Sequence, residues 1–138
     1  MIFVDTNVVI DIFRRDARWF DWSADRLAMV TEQGEVAASA VVIAELSWSF
    51  DRLEDLLATL DRLSLVPRPL PAAAAFLAGK RFQSFRRTRY EDDHPRVLPD
   101  FLIGAHAFFE GASLLTRDPK LYRRYFPDLT LITPETHP

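Results

Sequence analysis

The sequence predicts a single α/β domain over residues 1–138, with a central, mostly parallel sheet of four or five short strands flanked by helices. The first observation is the order of the predicted elements, because short apolar runs alternate along the chain with stretches in which apolar residues have helical spacing. The second is the opening run, residues 1–4, which lacks polar alternation and is typical of a strand buried on both faces. The third is length, since 138 residues is the usual size of one domain.

The composition predicts an ordinary folded protein, with 49% hydrophobic and 27% charged residues. The chain has no cysteine, which excludes disulfides and thiolate metal sites. It shows no signal peptide and no run near the roughly 20 apolar residues of a membrane span, so we expect a cytoplasmic protein without membrane contact. A formal net charge of -3 argues against a basic surface throughout, so a polyanion would have to bind at a local patch.

The N-terminal half is assigned from spacing and capping. After the first strand, the patterns predict helices at 8–15 and 18–33, a strand at 36–38, a helix at 40–46 and an amphipathic helix at 51–64. Gly34 ends the second helix, and Ser39 is a favoured N-cap for the third. Leucines at three- and four-residue spacing identify the helix at 51–64.

The C-terminal half is punctuated by prolines and small residues. The patterns predict a strand at 65–66, a loop at 67–70, a helix from Pro71 to 90, a loop at 95–99, a helix at 100–109, a strand at 112–116, a short helix at 121–126 and a strand at 129–132. Gly104 allows close packing, so the helix at 100–109 should be central. His106 lies roughly 240° around that helix from Asp100, which favours a structural role for the imidazole.

Two stretches could meet a partner. The first turn of the helix predicted at 18–33 carries three large aromatic residues, Trp19, Phe20 and Trp22. These rings form either part of the core or an apolar strip for a partner helix. The one concentrated basic stretch is interleaved with aromatic residues, a pattern that suits a nucleic-acid backbone and its bases. A solvated helix face explains this stretch equally well. The candidate contacts for RNA or a partner protein are Lys80, Arg81, Arg86, Arg87 and Arg89.

Four acids form the candidate site. Asp5 and Asp118 each follow a predicted buried strand, and right-handed crossovers bring the ends of parallel strands to one sheet edge. Asp100 begins the helix before the Asp118 strand, and Glu45 lies in an apolar helix turn where an unpaired carboxylate would be costly. The alternatives are that Asp5 and Asp100 only cap helices and that Glu45 faces solvent.

Converging carboxylates require a compensating charge, and an all-oxygen site selects Mg²⁺ or Mn²⁺. The matching chemistry is phosphodiester hydrolysis by a metal-activated water. A phosphatase with an aspartyl-phosphate intermediate is disfavoured, because Asp5 has no second aspartate two residues on. The chain also lacks a Gly-rich phosphate loop, which argues against a nucleotide-driven switch.

These motifs resemble those of the PIN-domain ribonucleases, in particular the VapC toxins of bacterial toxin–antitoxin modules. The resemblance rests on the segments 4–7, 44–46, 98–107 and 114–118, with 122–127 following the last. It implies that the catalytic acids are Asp5, Glu45, Asp100 and Asp118. Asp5, Asp100 and Asp118 would bind the metal, and Glu45 would be a ligand or orient the attacking water. Thr6, Asn7 and Thr116 would give polar support.

The resemblance further implies Mg²⁺-dependent endonucleolytic cleavage of RNA, a homodimer, and inhibition by a cognate antitoxin that covers the active-site side. Trp19, Phe20 and Trp22 would suit an antitoxin groove. The chain departs from its relatives at residues 91–95, Glu-Asp-Asp-His-Pro, where a glycine-containing loop is common. This departure leaves the RNA preference open. The alternatives are a non-catalytic PIN-like binding module and a housekeeping RNA-processing nuclease.

Overall fold

The computed structural model describes residues 1–88 and 98–138, which form a parallel sheet flanked by helices. The strands in these residues are Ile2–Val4 (β1), Val36–Ser39 (β2), Leu65–Arg68 (β3), Ser113–Leu115 (β4) and Leu131–Ile132 (β5). The α-helices are Thr6–Phe13 (α1), Phe20–Gln33 (α2), Ala40–Leu46 (α3), Leu53–Arg62 (α4), Ala72–Thr88 (α5), Leu98–Phe109 (α6) and Lys120–Tyr125 (α7). A 3-10 turn at Ser47–Ser49 follows α3.

The sheet has the order β3-β2-β1-β4-β5, and every strand pair is parallel. The predicted fold class is therefore confirmed, with an entirely parallel sheet. The chain builds outward from β1 to β3 and then returns to add β4 and β5 on the other side of β1. Strand order thus reverses between β1 and β4, and ligands of open α/β sheets bind at the carboxyl ends of strands at such a point.

The core lies on both faces of the central strands. Phe3 and Val4 in β1 are fully buried, as are Val36 and Ala37 in β2, which explains why these strands read as continuous apolar runs. Helix α6 is buried along most of its length, in agreement with its predicted central position. A Cβ on Gly104 would lie 2.9 Å from the Phe126 ring, so glycine permits the close approach of α6 and α7.

Most predicted boundaries are shifted by one or two residues, including those of α2, α4 and β5. Helix α1 begins at Thr6, two residues earlier than expected. Helix α6 begins at Leu98, which makes Asp100 its third residue, because Pro99 is tolerated in a first helical turn. Strand β3 extends through Pro67, which was placed in a loop. Since β3 is an edge strand, a proline there need not break a ladder hydrogen bond.

Some predictions lie outside the described residues. They are the predictions for Arg89, for the acidic stretch at 91–95, for the end of the fifth helix at 90 and for most of the 95–99 loop. Within the described ranges, no helix combines the length and apolar character required to cross a bilayer.

The aromatic turn at Trp19, Phe20 and Trp22 is neither core nor fully exposed, because all three side chains are half-buried. The Trp22 indole N–H donates a 2.8 Å hydrogen bond to the carbonyl of His137, and the Trp19 and Trp22 rings meet edge to face. The C-terminal residues therefore cover part of this aromatic surface.

Candidate active site

Asp5 follows β1 and is 4% exposed, at the point where strand order reverses. It occupies the N-cap position of α1, yet its side chain makes no capping hydrogen bond. Its Oδ2 instead accepts hydrogen bonds from Thr116 Oγ1 at 2.8 Å, from the Tyr122 hydroxyl at 3.0 Å and from Asn7 Nδ2 at 3.3 Å. The capping interpretation of Asp5 is therefore wrong, and its carboxylate joins β1, β4 and α7.

Burial raises the pKa of the Asp5 carboxyl to about 6. The hydrogen bonds from Thr116 and Tyr122 oppose this rise, because they favour the ionised form, whereas the negative charge of Glu45 adds to it. Asp5 is thus a buried acid that titrates close to neutrality, which is unusual for a purely structural carboxylate.

Glu45 is half-buried on α3 and accepts a 2.6 Å hydrogen bond at Oε1 from Thr6 Oγ1. The bond links the first turn of α1 to α3 across 39 positions of sequence. Ser39 caps α3 as predicted, since its Oγ accepts a 3.3 Å hydrogen bond from the Val41 N–H. Glu45 is consequently turned toward the site by Thr6 and is not simply a solvent-facing residue.

Asp100 is half-buried on α6, and its pKa is raised to about 8. Burial is the largest cause, followed by the negative charges of Asp5, Glu45 and Asp118 in that order. The four predicted acids thus lie close enough to act on one another electrostatically. In the metal-free protein at neutral pH, Asp100 is largely protonated because a fourth charge is unfavourable there.

Asp118 is exposed in the loop after β4. Its backbone N–H donates a 3.1 Å hydrogen bond to Thr116 Oγ1, and Asn7 Nδ2 lies 3.3 Å from the same oxygen. The fully buried Thr116 side chain therefore contacts Asp5, Asn7 and the backbone of Asp118. Thr116 and Asn7 are placed as polar support for the acids at the ends of β1 and β4.

The donor chemistry of this cluster fits a hard divalent cation. All four acids offer oxygen, the ligand type that Mg²⁺ and Mn²⁺ prefer, and their mutual repulsion calls for a positive charge. In residues 1–88 and 98–138, no three acidic or histidine side chains already stand in a metal-binding arrangement. The acids are therefore an electrostatic cluster and not a preformed cage.

His106 lies apart from the acid cluster in the core. Its Nδ1 is 2.8 Å from Ser39 Oγ, its ring centroid is 4.5 Å from that of Phe3, and the side chain is fully buried. Burial lowers the pKa of His106, which favours the neutral imidazole. These contacts support the structural interpretation.

Two features of the site were not predicted. One is the hydroxyl of Tyr122, which contacts Asp5. The other is a buried ion pair, in which Asp11 on α1 accepts from Arg117 Nε at 2.7 Å and from Ser23 Oγ at 2.8 Å. The pair fixes the residue that precedes Asp118. A carboxylate inside the apolar run of α1 was the signal in the sequence, since a buried acid requires a partner.

The basic stretch on α5 divides into two kinds of residue. Lys80, Arg86 and Arg87 are exposed. Arg81 donates a 2.5 Å hydrogen bond to the carbonyl of the last residue of α7, so it links two helices. Phe85 is 3% exposed and packs in the core, so it is unavailable to stack on a base. The predicted aromatic part of a nucleic-acid surface is therefore wrong at Phe85.

The model of the PIN domain family matches residues 2–127. Similar solved structures include VapBC2 from Rickettsia felis bound to a promoter DNA fragment, at 24% identity, a TM-score of 0.71, and coverage of 96% of this chain and 98% of that chain. FitAcB from Neisseria gonorrhoeae is 20% identical, with a TM-score of 0.67 and coverage of 98% of this chain and 99% of that chain. A toxin–antitoxin complex from Klebsiella pneumoniae is 20% identical, with a TM-score of 0.60 and coverage of 88% and 90%. No curated protein shows significant sequence similarity to the chain.

Proposed function

The chain belongs to the PIN domain family, and from this premise we propose that it is a metal-dependent endoribonuclease and the toxin of a toxin–antitoxin pair. The observation that carries the proposal is the buried carboxylate of Asp5 at the end of β1, where strand order reverses and where Thr116 and Tyr122 hold it by hydrogen bonds. The rise of the Asp100 pKa to about 8, caused by burial and by the charges of Asp5, Glu45 and Asp118, supports it. Asp5 follows β1 where strand order reverses, and the charges of Asp5, Glu45 and Asp118 act on Asp100, which supports a divalent-metal site. PIN-domain nucleases generally use divalent metals.

Asp5, Asp100 and Asp118 would hold Mg²⁺, with Mn²⁺ as an alternative. When bound, such an ion would lower the pKa of a water molecule and stabilise negative charge on the phosphate. Thr116 and Tyr122 both donate to Oδ2 of Asp5, so the orientation of the whole carboxylate is set in advance. Asp100 must lose its proton to become a ligand, so metal binding should release protons and strengthen as the pH rises.

Glu45 would be the fourth acid of the reaction, as a ligand or as the group that orients the attacking water. Its hydrogen bond from Thr6 fixes the direction of the carboxylate. Thr6 in turn begins α1 directly after Asp5, so one turn of backbone positions both acids. A positioned carboxylate within reach of a reacting water is a standard arrangement for proton transfer.

The toxin assignment is supported by the similar solved structures, which include VapBC2, FitAcB and a toxin–antitoxin complex. We propose that this chain likewise acts on RNA in the cytoplasm, forms a homodimer and binds a cognate antitoxin. The half-buried Trp19, Phe20 and Trp22 are candidates for antitoxin contact. Light scattering of the purified protein tests the dimer, and co-purification with the product of any small neighbouring open reading frame tests the partner.

The activity is tested by cleavage of a structured RNA with Mg²⁺ or Mn²⁺ and with EDTA. Asp5→Asn and Asp100→Asn should each reduce kcat/KM by at least about 100-fold, because each removes a charged ligand. Asp55→Asn, an exposed acid on α4, is the matched control and should leave the rate unchanged. If the Asp5 and Asp100 variants cut RNA as fast as the parent, a contaminating nuclease is responsible and the proposed function is wrong.

A further inference from the structure

A groove with a cavity volume of about 750 Å³ opens beside the acid cluster. Asp118 belongs to both features, because it lines the groove and its backbone N–H donates to Thr116 Oγ1, which in turn donates to Asp5. The groove walls include Trp19, Arg117, Lys120, Arg123 and Arg124. A molecule that lies in this groove would therefore contact Asp118, one of the four acids.

The groove is basic although the chain is acidic overall. Four cations line it against two acids, Asp118 and Glu135, while the formal net charge of the chain is -3. Arg123 forms a 2.6 Å ion pair with Glu135, and both side chains are largely exposed. Such a surface pair contributes only about 0–1 kcal/mol, so a phosphate could replace Glu135 at little cost. The groove thus favours a polyanion.

One wall of the groove is the half-buried indole of Trp19. The guanidinium groups of Arg18 and Arg117 lie 4.9 and 5.7 Å from its ring centroid. The Trp19 backbone is anchored by a 2.8 Å hydrogen bond to Asp16, and Arg117 is held by its ion pair with Asp11. Trp19 lines the groove with cations over its ring, and an aromatic ring together with cations is the combination that binds a base and its phosphate.

We propose that this groove binds the single-stranded RNA segment that flanks the scissile phosphate, with phosphates against Lys120 and Arg123 and a base against Trp19. The inference rests on the proposed function, since it names the path by which RNA enters the acid cluster. A volume of about 750 Å³ lies within the usual range for ligand pockets and offers space for a short stretch of nucleotides. A peptide would not by itself require both the excess of cations and the aromatic wall.

The exposed cations of α5 are the rival RNA surface. There, Phe85 is buried and Arg81 is engaged with α7, whereas the exposed Phe76 ring lies 5.2 Å from Lys80 Nζ. The two surfaces can be separated, because Arg86 and Arg87 do not line the groove.

The test measures fluorescence anisotropy of a labelled single-stranded RNA of about 12 nucleotides with the Asp100→Asn protein, which should bind without cutting. Added to that background, Lys120→Gln with Arg123→Gln should raise Kd at least about tenfold and make the salt dependence shallower by about 1.4 log units per log unit of salt. Trp19→Leu should raise Kd about tenfold. Arg62→Gln, on α4 beside the opposite edge strand, is the matched control and should bind like the parent.

Circular dichroism and thermal melts establish that each variant is folded, and Trp19→Phe, which keeps an aromatic ring, should restore most of the affinity. The inference is overturned if the groove variants bind RNA like the parent while Arg86→Gln with Arg87→Gln does not. It is also overturned if the groove variants keep RNA affinity and lose affinity only for the antitoxin. Failure of the proposed function looks different: the wild-type protein would bind RNA through the groove and leave it uncut in Mg²⁺.

Discussion

The hydroxyl of Tyr122 donates a 3.0 Å hydrogen bond to Oδ2 of Asp5, across 117 positions of sequence. The same oxygen accepts a 2.8 Å hydrogen bond from Thr116, so two hydroxyl groups stabilise the ionised form of a buried carboxyl. Burial acts in the opposite direction and raises the pKa of Asp5 to about 6. Tyr122 therefore positions Asp5 and also limits how far its pKa rises.

Replacement of Tyr122 by Phe should raise the pKa of Asp5 further, by about 1 unit, because one stabilising donor to the carboxylate is lost. It should also lower the free energy of unfolding at pH 8 by about 1–2 kcal/mol, since a hydrogen bond to a charged group is removed. An NMR titration of the side-chain carboxyl carbons measures the pKa directly. Tyr125→Phe is the control, because the Tyr125 hydroxyl has no hydrogen-bond partner in the described part of the chain. Equal shifts in both variants would contradict a specific role for Tyr122.

Stability of the metal-free protein should fall as the pH rises from about 4 to about 8. Asp100 has a pKa of about 8 when folded and about 3.9 when unfolded, so the folded state holds the extra proton in this interval. The stabilisation is complete below the unfolded value and is lost as the pH passes the folded value. Asp100→Asn should flatten this slope and exceed wild type at pH 8 by about 1–3 kcal/mol. Urea denaturation in EDTA at several pH values measures the slope.

Mg²⁺ should reverse this fall of stability with rising pH, and it should do so only in the wild-type protein. At about 100 times the dissociation constant, an ion that binds the folded state adds about 2.7 kcal/mol. The gain should be larger at pH 8 than at pH 6, because Asp100 must be ionised to bind, and it should be small in Asp100→Asn. A wild-type protein whose stability in EDTA does not change with pH would contradict the clustering of the acids.

The sequence was sufficient to predict that acids lie at the strand ends, because this prediction depends only on short apolar runs and on the right-handed connections between parallel strands. A buried apolar run followed by Asp5, and another followed by Asp118, place both at one sheet edge whatever the details of packing. The first residue of α6 was harder to predict, since Pro99 fits a loop and a first helical turn equally well. Pro67 was misplaced because only the position of β3 at the edge makes a strand proline acceptable.

Contacts between distant residues could not be predicted in the same way. Tyr122 meets Asp5 only because α7 packs against α6 at Gly104, and a sequence gives the residues without the distance between them. The Asp11 carboxylate could have been flagged as a buried charge, yet its partner Arg117 lies 106 positions away. Capping motifs were predicted where they are local, as at Ser39, and failed at Asp5 because tertiary contacts recruited the carboxylate.

Gly104→Ala should destabilise the protein by about 1–3 kcal/mol, because the new methyl group would lie 2.9 Å from Phe126 and 3.1 Å from Tyr122. Since Tyr122 must then shift, RNA cleavage should fall as well. Gly79→Ala in α5 is the control: in the described part of the chain, no atom beyond the two chain neighbours and the helix's own backbone lies within 4 Å of a Cβ placed there, so alanine should stabilise the helix by about 0.5–1 kcal/mol. Urea denaturation checks that the free energy of unfolding falls in Gly104→Ala and rises in Gly79→Ala. A stable, fully active Gly104→Ala protein would refute the packing argument.

Arg117→Met should lower the free energy of unfolding by about 3 kcal/mol, because it leaves the Asp11 carboxylate, which is 1% exposed, without its cation. Addition of Asp11→Asn should recover at least half of this loss, since a neutral amide carries no unpaired charge and can still accept the hydrogen bond of Ser23. Arg123→Met is the matched control, since its ion pair with Glu135 is exposed and contributes less than about 1 kcal/mol. A double-mutant cycle by urea denaturation measures the coupling. If Arg117→Met and Arg123→Met cost the same, the buried pair does not hold the loop that carries Asp118.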